Sequence, residues 1–243
     1  MGLQAGPISA LSNEARSKEH LESWGIIARG ALPTLISKGT SSAASSTNPL
    51  ALHPGCIISL EGPTGLGLTR VGLSMIAEAS QHAPVVVVDV RGWICPLAAW
   101  EAGVRADRLV VIRCDDIIQW PSAIAALLEG VKAVFAEVPT GVPEAVLRRL
   151  GALARSKDAA LVLRPLKGKL PSGIAYLRVQ AGKVVWAGAH DGHGRLEGRK
   201  IMLELSGKGA SGNRQLVEVE DDGSHALRVV SRLAAETARR AAG

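Results

Sequence analysis

The chain has 243 residues, of which 47% are hydrophobic and 21% are charged, enough apolar material for one sizeable globular core. The sequence has no apolar run approaching the ~18 residues that a membrane span needs, which argues against a transmembrane helix. Cys56, Cys95 and Cys114 are widely spaced and form neither a C-x-x-C metal pattern nor an even disulfide framework. We therefore expect a soluble cytoplasmic protein without a structural metal.

The net charge of +6 is unevenly distributed along the sequence. Residues 144–243 carry 18 Lys and Arg against 10 Asp and Glu, a net of +8, whereas residues 1–143 carry 10 against 12, a net of −2. A basic half attracts polyanions such as DNA, but an excess of this size is also common on ordinary solvated surfaces. Charge alone therefore leaves nucleic-acid contact open.

Residues 1–36 are predicted to form an N-terminal amphipathic helix segment outside the main domain. Leu21, Trp24 and Ile27 recur there at helical spacing and form an apolar stripe. An amphipathic helix detached from its own core is a candidate for partner binding. The alternative is that it covers the core of its own chain.

The segment at residues 37–49, SKGTSSAASSTNP, is too poor in bulky apolar side chains to offset its ordering entropy, and we interpret it as a flexible linker. The core at residues 50–224 then alternates strand and helix patterns, as βαβ proteins do. Apolar runs such as GCIISLEG and APVVVVDV predict buried strands, and segments such as GLTRVGLSMIAEASQ predict helices. From residue 173 onwards, alternation of period two predicts antiparallel hairpins.

The last residues, 225–243, are predicted to form a basic C-terminal helix or tail. Leu227, Val230 and Leu233 follow helical spacing there and are further candidates for partner binding. As for the N-terminal segment, the alternative is that this helix only covers its own core.

The stretch LEGPTGLGLTRVG, residues 60–72, follows the first predicted strand and opens the first helix of the core. Read from Gly62, it matches the phosphate-binding spacing G-x-x-x-x-G-K-[ST] except at Leu68, which replaces the lysine. In a working loop the backbone N–H groups hold the phosphates, the lysine neutralises the β and γ oxygens, and the Ser or Thr hydroxyl ligates magnesium. Arg70 lies two residues further along the helix and is a poor substitute for the lysine. The candidate nucleotide-site residues of this loop are Gly62, Gly65, Gly67, Leu68 and Thr69.

The order of these elements and the degenerate loop resemble the RecA recombinase core over most of residues 50–223. RecA-like ATPases place a water-polarising glutamate after the second strand, where DVRGW has Arg91. Glu137, at the end of AVFAEV, takes the Walker B position, either as a magnesium contact through water or as a hydrogen-bonded remnant. The segments after Glu137 and after Arg164 are too short for the two DNA-binding loops of RecA.

This combination is similar to the ImuA type, RecA-related accessory factors of the bacterial mutasome, and most to its compact actinobacterial members. The resemblance implies an α/β fold: a RecA-like P-loop core with a mostly parallel central sheet, antiparallel C-terminal strands and flanking helices. It also implies a non-catalytic adaptor of the SOS response, without a cofactor, that associates with the nucleoid on DNA damage. Such an adaptor supports error-prone translesion synthesis by binding an ImuB-like Y-family polymerase relative, RecA, or both.

The alternative function is an ATP-dependent recombination mediator or DNA-binding ATPase, in which Arg70 or a neighbouring subunit supplies the missing charge. For either function, the charge distribution predicts that any DNA binding is weak, insensitive to sequence and reduced by salt. The expected DNA contacts are Arg148, Arg149, Arg155, Lys167 and Lys169.

Overall fold

Helices and strands alternate through the first part of the chain, as the apolar runs predict. The computed structural model describes residues 48–188, 194–223 and 227–234. The alternating elements are β1 (Ile57–Glu61), α1 (Leu68–Ser80), β2 (Val85–Asp89), α2 (Pro96–Glu101), β3 (Leu109–Arg113), α3 (Trp120–Gly130), β4 (Ala133–Val138), α4 (Glu144–Ser156) and β5 (Ala160–Pro165). Four strands follow: β6 (Leu177–Ala187), β7 (Gly198–Ser206), β8 (Gln215–Asp221) and β9 (Arg228–Ala234).

All nine strands belong to one sheet, in the order β3-β2-β4-β5-β1-β6-β7-β8-β9. Every pairing from β3 to β6 is parallel. The pairings of β6 with β7, β7 with β8 and β8 with β9 are antiparallel. The predicted α/β class, with a mostly parallel central sheet, antiparallel C-terminal strands and flanking helices, is confirmed.

The parallel part of the sheet is covered by helices on both faces. Val85 and Val87 of β2 belong to the apolar cluster under α1 and α2, whereas Val86 and Val88 belong to the cluster under α3 and α4. Strands buried on both faces are apolar at every position, which explains why these strands appear in the sequence as continuous runs. Among the described residues, no helix is both long enough and apolar enough to cross a membrane.

The C-terminal segment does not form the predicted helix over residues 228–234. These residues are strand β9, which extends the sheet by pairing antiparallel with β8. Leu227 and Val229 pack against the core, whereas Val230 is exposed, and this alternation has the period of a strand. The edge of β8 offers unpaired backbone N–H and C=O groups, and pairing with them favours the strand.

The packing of α1 on β4 predicts that Gly72 is required at its position. A Cβ atom on Gly72 would lie 2.7 Å from two ring carbons of Phe135, and both residues are buried. Gly72→Ala therefore forces the helix away from the sheet, and we expect the free energy of unfolding to fall by roughly 1–3 kcal/mol in denaturant titrations. Gly130→Ala is the control, because a Cβ atom there meets nothing within 4 Å. Equal losses for the two variants would contradict the role of this contact.

Candidate functional site

The loop between β1 and α1 has the strand–loop–helix context of a phosphate-binding loop. Gly62, Gly65 and Gly67 have φ angles of 144°, 88° and 77°, a region of backbone conformation that favours glycine. Gly67 adopts the left-handed conformation at the start of α1, and no side chain caps this helix. Within the part of the chain that the structure describes, the backbone N–H groups of residues 64–67 donate no hydrogen bond. The amide cradle of the loop is therefore retained.

Leu68, at the lysine position, is a core residue. It is buried in the apolar cluster on the α1 face of the sheet. Its Cδ1 atom lies 3.3 Å from the position that a Cβ atom would take on Gly62. The side chain thus packs against the start of the loop, and the site lacks the charge that a lysine would supply.

An arginine of the chain itself lies where a working loop holds magnesium. Arg164, at the end of β5, donates a hydrogen bond from Nη1 to Oγ1 of Thr69, and the same Nη1 lies 3.6 Å from Oε1 of Glu137. In working sites a loop hydroxyl and a strand-end carboxylate at these two positions hold the metal ion. The sheet register brings Arg164 there, because it pairs with Glu137 on the neighbouring strand β4. A magnesium ion does not fit between Thr69 and Glu137 while Arg164 bridges them.

Glu137 is a fully buried carboxylate with several hydrogen-bond donors. Arg91 donates to Oε1 from Nε at 3.0 Å and also from Nη2. Oε2 accepts the backbone N–H groups of Val90 at 3.2 Å and of Arg91 at 3.3 Å. The buried Trp120 donates its Nε1–H to the main-chain oxygen of Glu137 at 2.9 Å, which fixes the end of β4. This is the environment of a structural carboxylate held by hydrogen bonds.

The cluster of Arg91, Glu137 and Arg164 contains more positive than negative charge. Burial lowers the pKa of Arg164 and the charge of Arg91 lowers it further, while Glu137 acts in the opposite direction. Working sites at this place obtain their positive charge from the lysine and the metal ion. Here two guanidinium groups supply it. Among the described residues, no group of three or more His, Cys, Asp and Glu is placed to hold a metal ion.

The guanidinium of Arg70 is held by two other groups of the chain. Its Nη1 donates to the main-chain oxygen of Ala98 at 3.4 Å, and its Nη2 to Oδ1 of Asp221 at 3.5 Å. Arg199 of β7 lies against the loop, since its Cζ atom is 3.0 Å from the Cβ position of Gly67. Nε and Nη2 of Arg199 both bond Oδ2 of Asp221, at 3.1 and 2.8 Å. Asp221 thus engages both cations and ties α1 to β7 and β8.

The structure places the predicted DNA contacts on α4 and in the segment between β5 and β6. Arg148 of α4 donates to the main-chain oxygen of Ser172 at 3.5 Å, in the segment between β5 and β6. Arg155, in the last turn of α4, lies instead beside Gly55, before β1. Arg149 is exposed on α4, and Lys167 and Lys169 lie in the segment between β5 and β6.

The partner-binding candidates are only partly within the described residues. Leu21, Trp24 and Ile27 lie outside them, as does the side chain of Leu233. Leu227 packs against the core, and Val230 is exposed on β9.

The sequence patterns did not identify the roles of Arg164, Asp221 and Arg199. One signal for Arg164 was present in the sequence. Arg164 ends one strand and Glu137 ends the strand beside it, and parallel strands bring their carboxyl ends to the same edge of the sheet. No comparable signal existed for Asp221 and Arg199, which approach the loop from the C-terminal strands.

Comparison with known proteins supports the fold. The sequence profile of one protein family, described as the MT3502 N-terminal domain, matches residues 47–169, about half of the chain. No curated protein matches the sequence significantly. The structure is similar to the crystal structure of the RadB recombinase, with a TM-score of 0.50, 14% sequence identity, and coverage of 74% of this chain and 93% of that chain. At this identity the similarity concerns the fold alone, and it confirms the predicted RecA-like core.

The burial of Glu137 predicts a large effect on stability. Glu137→Ala leaves the guanidinium groups of Arg91 and Arg164 without their carboxylate, and we expect the free energy of unfolding to fall by about 3–5 kcal/mol. Glu144→Ala is the control, because it removes an exposed i,i+4 pair with Arg148, worth about 0.3–0.5 kcal/mol. Denaturant titration of both variants measures the difference. A loss for Glu137→Ala no larger than that of the control would show that the cluster does not stabilise the fold.

Proposed function

We propose that this chain, which belongs to the MT3502 N-terminal domain family, is a non-catalytic RecA-like adaptor in bacterial DNA-damage tolerance. In this role it supports error-prone translesion synthesis by binding an ImuB-like relative of the Y-family polymerases, RecA, or both. The RecA-like fold provides the scaffold, and the resemblance of the sequence to the ImuA type provides the partners. The role requires neither nucleotide nor metal.

The observation that carries the proposal is the position of Arg164 between Thr69 and Glu137. Phosphoryl transfer depends on positioned charge around the phosphates and the metal ion. Here the lysine is replaced by the buried Leu68, and Arg91 bonds Glu137 from the place where a water-polarising acid is expected. Arg91 and Arg164 therefore pair with Glu137 and Thr69 of the chain itself rather than with a nucleotide or a metal ion. Such a domain is suited to bind a protein partner regardless of nucleotide.

One observation favours the ATPase alternative, namely the retained amide cradle of residues 64–67. Backbone N–H groups at a helix N-terminus bind anions without help from side chains. Magnesium-dependent chemistry at this loop, however, requires the buried guanidinium of Arg164 to leave Thr69 and Glu137. A buried charge that loses its partners costs several kcal/mol, which favours the adaptor over the ATPase.

Nucleotide titration separates the two functions. We expect the wild-type chain to release no phosphate from ATP and Mg²⁺, and Leu68→Lys to remain inactive as well. A lysine at position 68 restores charge near the loop, but Arg164 still bonds Thr69 and Arg91 still bonds Glu137. A phosphate-release assay with RecA as the positive control measures this. Substantial turnover by Leu68→Lys would contradict the proposed roles of both arginines.

The adaptor function is tested with the full-length chain and its purified candidate partners. Calorimetric titration against the ImuB-like polymerase relative and against RecA is expected to give a complex with at least one of them, with the same Kd whether or not ATP and Mg²⁺ are present. Trp24→Ala on the predicted amphipathic stripe is expected to weaken that complex about tenfold. Trp186→Ala, on the exposed part of β6, is the control and leaves Kd unchanged. A complex that forms only with ATP, or no complex with either protein, would overturn the proposal.

A further inference from the structure

Two buried carboxylates hold the loop that follows β2, residues 90–94. Oε2 of Glu137 accepts the N–H groups of Val90 and Arg91. Asp89, which is itself buried, accepts the next three: Oδ1 bonds the N–H groups of Gly92 at 2.8 Å and Trp93 at 3.2 Å, and Oδ2 bonds that of Ile94 at 2.9 Å. Five consecutive backbone donors thus converge on two carboxylates. Hydrogen bonds from backbone N–H groups to ionised acceptors are among the stronger ones in proteins, so this loop is held in one conformation.

The rigid loop exposes a large aromatic side chain. Trp93 is 72% exposed, although the N–H groups on both sides of it are bonded to Asp89. Arg91, anchored to Glu137, lies over its ring, with Cζ 4.6 Å from the centroid. On α2, which follows, Leu97 and Trp100 are also exposed and lie three residues apart on one helix face. Trp93, Leu97 and Trp100 together expose on the order of 300 Å² of apolar surface, comparable with the largest patch of a typical monomer, which is often functional.

An exposed cation lies beside this loop. Arg113, at the end of β3, has its Cζ atom 3.9 Å from the position that a Cβ atom would take on Gly92. It is exposed and has no hydrogen bond or ion pair with any other residue that the structure describes. Arg91, by contrast, is engaged by Glu137. The loop therefore presents an apolar anchor next to one free positive charge.

We infer that Trp93 and Arg113, with Leu97 and Trp100 beside them, form a docking surface for a short segment of the partner protein that carries an apolar side chain next to a single carboxylate. An apolar side chain of that segment packs on Trp93, and a carboxylate pairs with Arg113. This inference rests on the proposed adaptor function and assigns a surface to it. Preorganisation supports it, because a surface that is already ordered loses little conformational freedom on binding.

The surrounding charge favours a peptide over a nucleic acid. Arg113 is followed closely by Asp115 and Asp116, and Glu101 is exposed at the end of α2. Residues 1–143 as a whole carry 10 basic against 12 acidic side chains. One isolated cation fits one carboxylate, whereas a phosphate backbone needs several cations along its path. A peptide that carries a single carboxylate is therefore the occupant that matches this surface.

The test compares matched pairs of surface variants of the full-length chain. Trp93→Ala is paired with Trp186→Ala, because both indoles are exposed and stacked by an arginine, Trp186 by Arg199 at 5.3 Å. Arg113→Glu is paired with Arg195→Glu, a charge reversal at another exposed arginine. Each variant is titrated with whichever candidate partner binds the wild type. We expect Trp93→Ala to weaken binding about 30-fold and Arg113→Glu about tenfold, with changes below about twofold for both controls.

A second measurement identifies the segment that binds. Overlapping synthetic peptides that cover the partner sequence are tested with the wild type and with Trp93→Ala, and the captured peptides are expected to contain an apolar residue close to Asp or Glu. Unchanged binding by Trp93→Ala and Arg113→Glu, or capture of basic peptides only, contradicts the assignment of this docking surface and leaves the adaptor function intact. Failure of the wild type to bind either partner removes both proposals. If the two variants instead weaken binding of a single-stranded oligonucleotide, the surface contacts nucleic acid and the peptide assignment is wrong.

Discussion

The hydrogen bonds of Glu137 and Asp89 are the constraint on which this structure depends. Both carboxylates are buried at the carboxyl edge of the sheet, where an ionised group without partners costs several kcal/mol. Their partners are five successive backbone N–H groups and the guanidinium of Arg91. These interactions fix residues 90–94, and through Glu137 they place positive charge next to the phosphate-binding loop. The conformation of this edge is set by the hydrogen bonds that these two buried carboxylates require.

The same hydrogen bonds give the strand-end acids at this edge a structural role. In a working P-loop protein, strand-end acids at this edge interact with a metal ion and with the attacking water. In this chain they hold backbone amides and arginines, and Arg164 connects Glu137 to Thr69. In the proposed adaptor function, these contacts within the chain take the place of a metal ion and a nucleotide.

The antiparallel strands are part of the same arrangement. Asp221 of β8 accepts from Arg199 of β7 and from Arg70 of α1, and Arg199 lies against the start of α1 at Gly67. The C-terminal strands therefore contact the helix that the phosphate-binding loop opens. Asp221 also bonds Arg70, the candidate replacement for the missing lysine. Two arginines thus bond one buried carboxylate.

The sequence by itself determined the elements whose cause is local. Continuous apolar runs such as VVVVD specify strands buried on both faces, and the glycines of the loop specify its turn between β1 and α1. The absence of charge at Leu68 is likewise visible in the sequence. The sequence also placed Glu137 at the end of a strand, but it left open whether that carboxylate meets a metal ion or a hydrogen-bond donor.

Only the tertiary structure decided which groups meet. Arg164 and Thr69 are 95 positions apart in the chain, and their contact depends on the parallel pairing of β5 with β1, the strand that leads into the loop before Thr69. Residues 228–234 satisfy a helical pattern as well as a strand pattern. The open edge of β8 favours the strand, because the N–H and C=O groups of both strands are hydrogen-bonded once they pair. Local periodicity contains no information about such an edge. The partners of a buried charge and the state of an ambiguous segment are set by residues distant in sequence, and folding brings them together.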